Sequence, residues 1–369
     1  MIVIVTSGHK PDDERIYHKQ ILSLLNNGYK VQYFTFHDTT MDLSSKNFKH
    51  INILPTNSRR RQYSHSLFKM ISLLPNIKVL HIHEFDLLGL ARRLKKYKNI
   101  KVIYDVHDNL RAMWDTFSSR KGFIKYIINS SLSIYESFHL KYVDEIILAN
   151  IPLSNSYYTE KRLSTTVVEN YPKFKTFSIT PYKDKLKIIY HGQMSEDRGI
   201  LILLEAFNKL KKIIPAAVLK LIGSPRTKHF DLILRQIIES SLYKDDIDFI
   251  GEIPHTDIWE HLSQSHIGVI PSLKTPRVMV DTPTKIFEYM MSNCAVVATD
   301  TPPIRYFAKG CSVIVTPGSI DALLKGMLNI ATNEEKFKAN IKESNNRIKK
   351  KYNWLIAEKK LLKLYRRLI

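Results

Sequence analysis

The chain has 369 residues, enough for two ordinary domains that each bury a core of their own. Its 56 Lys plus Arg against 35 Asp plus Glu give a formal net charge of +21, which points to polyanionic partners: nucleic acid, an anionic membrane surface or phosphorylated substrates. No apolar run reaches the roughly 18 residues of a membrane-spanning helix, Met1–Val5 lacks the charged start of a signal peptide, and Cys294 and Cys311 match no metal or redox spacing, so the expectation is a protein of the reducing cytoplasm with both thiols in its core.

Along the chain, short β-branched apolar runs alternate with stretches of helical periodicity, the pattern of a parallel α/β sheet covered on both faces. The strands expected first are Ile2–Val5, Val31–Phe36, Val79–His83, Lys101–Val106, Glu145–Leu148 and Thr166–Glu169. A second series follows: Lys187–His191, Val218–Ile222, Asp248–Ile250, Ile267–Ile270, Ala295–Thr299 and Ser312–Val315. Between the series, Asn170-Tyr171-Pro172 and Pro181 break regular structure in a lysine-rich stretch. The division is therefore residues 1–170, a hinge over 171–185, a second domain over 186–350 and a closing helix over 351–369. That helix begins near Asn353 and has Trp354, Leu355, Leu361, Leu362, Tyr365 and Leu368 for an apolar face.

Several familiar devices are missing. No G-x-G-x-x-G follows Ile2–Val5, where only Gly8 stands, and there is no phosphate-binding G-x-x-x-x-G-K-[ST], H-E-x-x-H or G-x-S-x-G. What the chain does carry sits at strand ends, where open parallel sheets bind their ligands. Tyr104-Asp105-Val106-His107-Asp108-Asn109 closes one strand with a histidine between carboxylates, and Val79-Leu80-His81-Ile82-His83-Glu84 closes its neighbour similarly. Such a histidine can donate to a substrate oxygen while a carboxylate sets its tautomer, or it can merely cap a turn. In the second half, Tyr190-His191-Gly192-Gln193 runs through Arg198-Gly199 into a helix, and an arginine at that helix start suits an anion. Pro283-Thr284-Lys285-Ile286-Phe287-Glu288 opens another helix with Pro283 fitting its first position, and Lys285 and Glu288 lie one turn apart. Glu288 can accept the two hydroxyls of a ribose, or the pair can be a surface ion pair.

Together these strings resemble the family-4 retaining glycosyltransferases of the GT-B fold. The likeness rests on Pro283–Met290 followed by Ala295–Thr299, the His191-Gly192…Arg198-Gly199 turn, Leu221-Ile222-Gly223, Phe249–Pro254 and Tyr352-Asn353-Trp354. It extends more weakly to Asp13-Glu14-Arg15-Ile16 and Asp105–Asp108. The resemblance implies an α/β chain of two Rossmann-like parallel-sheet domains facing across a cleft, with the C-terminal helix crossing back to the N-terminal domain. It implies transfer of a sugar from a nucleotide diphosphate, UDP being expected, with retention, without a metal and without any cofactor beyond the nucleotide sugar. Carried over, it assigns Arg198 to the donor diphosphate, with Gln193 beside it and Lys285 nearby, and Glu288 to the donor ribose. His107 would reach the donor sugar, making His107, Arg198 and Glu288 the catalytic set. Gly8, Gly192, Gly223 and Ile253 would complete the donor site. The first glutamate of the family's E-x7-E motif should fall at Val280, with Asp281 adjacent.

Family acceptors bind the N-terminal domain, which here carries two basic stretches interleaved with apolar residues. One contains Arg59, Arg60 and Arg61; the other contains Arg120, Lys121 and Lys125. Both read as interfacial elements on anionic lipid, or as solvated faces over core helices. The expectation is a cytoplasmic enzyme held at the inner membrane face, extending a lipid-linked glycan or cell-surface polymer, with no nucleic-acid partner. The rival readings are a nucleic-acid-binding protein and a GT-B-fold epimerase.

Overall fold

The computed structural model describes residues 1–39, 41–55, 60–107, 110–118, 122–149, 157–159, 163–178 and 185–369, excepting the side chains of Arg60, Arg61, Leu110, Arg111, Met113 and Phe117. The chain forms two compact units: Met1–Asn170 with Trp354–Ile369, and Tyr171–Asn353.

The first unit holds a parallel sheet of β1 (Ile2–Val5), β2 (Val31–Phe36), β3 (Phe48–Ile53), β4 (Val79–Ile82), β5 (Lys101–Val106), β6 (Glu145–Leu148) and β7 (Thr165–Val167), ordered 3-2-1-4-5-6-7. The second holds β8 (Leu186–His191), β9 (Ala217–Ile222), β10 (Ile247–Gly251), β11 (Ile267–Ile270), β12 (Ala295–Thr299) and β13 (Ser312–Val315), ordered 10-9-8-11-12-13. Every pairing between these strands is parallel. Strands covered on both faces read as unbroken apolar runs, and β1, Ile-Val-Ile-Val, and β12, Ala-Val-Val-Ala-Thr, are buried throughout. β3 is the strand that sequence patterning misses. Its Lys49, His50 and Asn52 interrupt the apolar signal because it is an edge strand with a single partner, β2.

In each sheet the order reverses beside one strand: β1 lies between β2 and β4, and β8 between β9 and β11. Connections there leave in opposite directions, so the carboxyl ends of these strands open a crevice. The loops after β1, β4 and β5, and after β8, β9 and β10, are therefore the places for function.

Two close approaches set the second crevice. A Cβ on Gly268 of β11 would lie 2.3 Å from the Tyr289 ring, so glycine lets the helix Lys285–Met291 settle directly on the sheet. Gly199 has φ +71°, and a Cβ there would lie 1.9 Å from the Pro271 carbonyl oxygen. It starts the helix Ile200–Ile213, which buries Ile200, Leu203, Leu204, Phe207 and Leu210 at helical spacing.

The join falls between Asn170 and Tyr171. Rather than lying in an open hinge, Tyr171 is buried edge-on against Phe287, with Phe307 and Tyr352 beside it in the second unit. The return to the first unit comes at Trp354, whose indole N–H donates to Ser23 Oγ at 3.0 Å. From there the helix Trp354–Leu368 buries Trp354, Ala357, Leu361, Leu362, Leu364 and Tyr365. Leu355 is exposed and does not belong to that face. Both cysteines are buried, and burial pushes the Cys294 thiol up to about 12.

Candidate active site

In the second unit, Glu288 sits in the first turn of a helix whose seven residues are all buried. His255, three residues beyond the loop start after β10, has Nε2 2.8 Å from Glu288 Oε1. His191, the last residue of β8, has Nε2 3.2 Å from Oε2. Burial pushes the His191 imidazole down to about 4 although Glu288 opposes it, so at neutral pH this ring is uncharged. Lys285 is buried with Nζ 3.7 Å from the centroid of Tyr190, a cation–π contact. Burial drives its pKa well below the ordinary lysine value, Arg198 pushes the same way, and Glu288 and Asp197 oppose.

Arg198 closes the short turn Glu196–Arg198 after β8. Arg226, in the loop after β9, is lowered by burial and then by the like charges of Arg277 and Arg198, with Asp197 opposing. Arg277 pairs with Asp281 at 2.8 Å, and Asp197 accepts the Ser195 hydroxyl at 2.5 Å. Four cations thus influence one another at the strand ends beside the start of a 14-residue helix. Mutual repulsion there is relieved by an anion of more than one charge. At the strand ends of the same sheet lies a pocket of about 280 Å³, lined by Gly223, Ser224 and Pro225 after β9, by Phe249, Gly251 and Glu252 of β10 and its loop, and by the start of the helix Lys228–Glu239.

The first unit carries a buried polar network. Asp105 of β5 is fully buried, and Arg15 holds it with Nη2 3.0 Å from both oxygens and Nε 3.3 Å from Oδ2, while Gln20 donates to Oδ2 at 2.6 Å. His81 Nε2, His83 Nδ1 and His107 Nε2 each stand 3.8 Å from this carboxylate. His83 Nδ1 is 2.8 Å from His107 Nε2, and His81 Nδ1 is 2.7 Å from the Tyr365 hydroxyl of the C-terminal helix. Burial pushes His83 and His107 well below the usual histidine value, so both are neutral at pH 7. His81, His83 and Asp105 bring ligating atoms within 4.8 Å of one another. The positive charge facing Asp105 is already supplied by Arg15, which makes this trio the anchor of a polar core. In the first loop, Ser7 and Gly8 donate backbone N–H groups to Glu84 at 2.8 and 3.1 Å, and His9 Nδ1 lies 2.6 Å from the same carboxylate.

Residues 173–351 match the family model described as "Glycosyl transferases group 1". This stretch is a group 1 glycosyltransferase domain. No curated protein matches the sequence. Among solved structures, the chain is similar to sucrose-phosphate synthase from Thermosynechococcus elongatus, with TM-score 0.79 and 17% identity over 100% of this chain and 98% of that one. It is similar to HepE of Anabaena in complex with UDP, with TM-score 0.76 and 13% identity over 99% of both chains. It is also similar to an α,α-trehalose-phosphate synthase (UDP-forming) from Burkholderia vietnamiensis, with TM-score 0.71 and 11% identity over 100% of both. The fold is GT-B, and the protein is a glycosyltransferase.

The glycosyltransferase brings Gly192, Arg198, Gly223, Lys285 and Glu288 to neighbouring strand ends of one sheet, all within the matched domain. Pro283 precedes the helix Lys285–Met291 rather than opening it, since Thr284 is its N-cap. Gln193 is exposed and its carbonyl accepts the Tyr190 hydroxyl at 2.8 Å; Ile253 is half-buried in the loop after β10. His107 and Gly8 belong to the first unit, where the Gly8 N–H is directed at Glu84. Lys125 is tied to the preceding helix, donating to the Asp115 carbonyl at 2.8 Å. Arg59, Arg120 and Lys121 lie outside the described residues, as do the side chains of Arg60 and Arg61. Sequence reading missed Arg226 and His255, although both follow strands whose carboxyl ends were already the expected site.

Proposed function

We propose that this glycosyltransferase takes its sugar from a UDP-sugar and transfers it, with retention at the anomeric carbon and without a metal, to an acceptor carried on lipid at the inner face of the membrane. The observation that carries the donor assignment is the convergence of Glu288, Lys285, Arg198 and Arg226 beyond β8 and β9. In this reading Glu288 accepts the ribose hydroxyls. The diphosphate takes its counter-charge from Arg198, Lys285 and Arg226 and from the free N–H groups at the start of the helix Ile200–Ile213. Cleavage of the sugar–phosphate bond develops negative charge on the leaving oxygen, and fixed cations stabilise that charge more than they stabilise the ground state. A diphosphate beside Lys285 also restores its charged form, since an anion favours an ammonium that burial disfavours. Attack comes from the face the phosphate leaves, with the phosphate taking the acceptor's proton, so no carboxylate nucleophile is assigned.

The test is a thermal-shift comparison of UDP-, GDP-, TDP- and ADP-sugars, with and without EDTA. A ligand bound only by the native state, at a hundredfold excess over Kd, should raise Tm by roughly 3–4 °C in a chain of this size. UDP-sugars should give that shift unchanged by EDTA; a shift confined to another nucleotide would replace the base, and one abolished by EDTA would remove the metal-free mechanism.

Support for a membrane-borne acceptor lies on the helix Gly122–Leu140. Phe123, Ile127, Ile134 and Phe138 share one face at helical spacing, and Phe123 and Ile134 are 75% and 70% exposed. The one carboxylate of that helix, Glu136, is buried against the Tyr158 hydroxyl. At the far end of the stripe the Arg92 guanidinium lies 4.6 Å over Phe138. An apolar stripe with cations beside it and no exposed acid of its own helix suits an anionic bilayer, the nearby Asp115 being paired with Lys125. Binding to phosphatidylglycerol vesicles and not to phosphatidylcholine vesicles is expected, weakened by Phe123→Asp with Ile134→Asp; equal binding to both kinds would take the membrane out of the reading.

A further inference from the structure

Within the donor site, one residue has no role in the reading above, which the following rests on. His255 stands on the loop after β10 with its ring held from two sides. Nε2 lies 2.8 Å from Glu288 Oε1, and the imidazole meets the Trp259 ring edge-on, 5.8 Å away at 86°. Trp259 is itself buried, stacked on Phe177 at 15° and with Lys175 Nζ 4.8 Å from its centroid. On the other side of the carboxylate, His191 brings Nε2 to 3.2 Å from Oε2. The Glu288 carboxylate is thus set between two imidazoles carried by different strand ends, β8 and the loop after β10.

We propose that His255 is a positioning residue that fixes the Glu288 carboxylate for the vicinal diol of the donor's ribose, and so sets discrimination between ribonucleotides and 2′-deoxyribonucleotides. A glutamate side chain has three rotatable bonds, and a carboxylate that must meet two hydroxyls at once gains from being locked in advance. A donated hydrogen bond from His255 Nε2 to Oε1 supplies that lock. A carboxylate offers about four lone-pair sites, so the bond from His255 is compatible with two hydroxyls on the same group. The neutral state of His191 matters as well: it leaves the charge of the carboxylate available to strengthen the hydroxyl contacts. Because His255 is more than a third exposed on its side chain, it is replaceable without opening the core.

The experiment measures Kd for UDP and for 2′-deoxy-UDP by calorimetry on the full chain, for the wild type and for His255→Leu, His255→Gln and Glu288→Ala. In the wild type UDP should bind about tenfold or more tightly than its deoxy analogue, the cost of leaving one positioned acceptor without its hydroxyl. His255→Leu should weaken UDP binding about tenfold and bring the ratio close to one, with an unchanged melting temperature. His255→Gln, whose amide N–H reaches where Nε2 does, should recover most of the preference. If His255→Leu keeps the wild-type ratio while Glu288→Ala loses it, positioning by His255 is wrong and the ribose assignment stands. If Glu288→Ala also keeps the ratio, the ribose assignment falls and the proposal with it.

Discussion

Glu288→Ala should lower turnover of the nucleotide-sugar donor roughly 10²-fold or more, the scale seen when a positioned hydrogen-bonding group of an active site is removed. Three consequences of the substitution act together. In the proposed reading, the ribose loses its acceptor. His255 and His191 lose the carboxylate that lies 2.8 and 3.2 Å from their Nε2 atoms. Lys285, already pushed toward its neutral form by burial and by Arg198, loses the larger of the two charges opposing that shift, so the diphosphate would meet a weaker cation. Glu288→Gln separates these effects, because an amide oxygen still accepts from His255 but carries no charge. The glutamine variant should fall between the wild type and alanine. Steady-state kinetics with the donor found by thermal shift, alongside melting curves that report an intact fold, decide the matter, and full activity in the alanine variant would end the donor-site assignment.

The second large effect is on stability. Asp105→Ala should destabilise the first unit by about 3–5 kcal/mol, because it leaves Arg15, only 3% exposed, as an uncompensated buried charge. Burial pushes the Asp105 carboxyl up, but Arg15, His107, His81 and His83 outweigh it and hold the group well below the ordinary range. A carboxylate so depressed contributes stability that is present above its unfolded value, about 3.9, and is lost as pH falls. His81, His83 and His107 are lowered by burial, so each contributes stability present above about 6.5 and lost on acidification below it. Denaturant unfolding followed from pH 8 to pH 4 should therefore show the first unit weakening from about pH 6.5 downward. The Asp105→Ala protein should start several kcal/mol lower at pH 8. A variant as stable as the wild type at pH 8 would show that the guanidinium finds another partner.

The apolar runs announced nearly every strand because a strand covered on both faces must be apolar along its whole length, which leaves a local mark. β3 escaped for the converse reason: at the sheet edge, Lys49, His50 and Asn52 are tolerated, and the run is broken. The string Pro283–Met290 was legible because it is contiguous, and with it Lys285 and Glu288. The packing of Tyr171 leaves no local sign, because the prolines nearby mark only a break in regular structure while its aromatic neighbours Phe287, Phe307 and Tyr352 are distant in sequence. His255 and Glu288 are 33 residues apart and Arg15 and Asp105 are 90 apart, so no periodicity connects them.

The amino-acid sequence by itself determined the α/β architecture, the two successive series of strands and the strings that carry Arg198, Lys285 and Glu288, since each follows from local spacing or from a continuous motif. Tertiary structure alone decided the partners of those residues: that Glu288 stands between two histidines, that Arg226 joins the cations, and that Arg15 neutralises Asp105. The physical reason is that parallel sheets align strand ends from remote parts of the chain, and charge, burial and hydrogen bonding are properties of that alignment rather than of any segment within it.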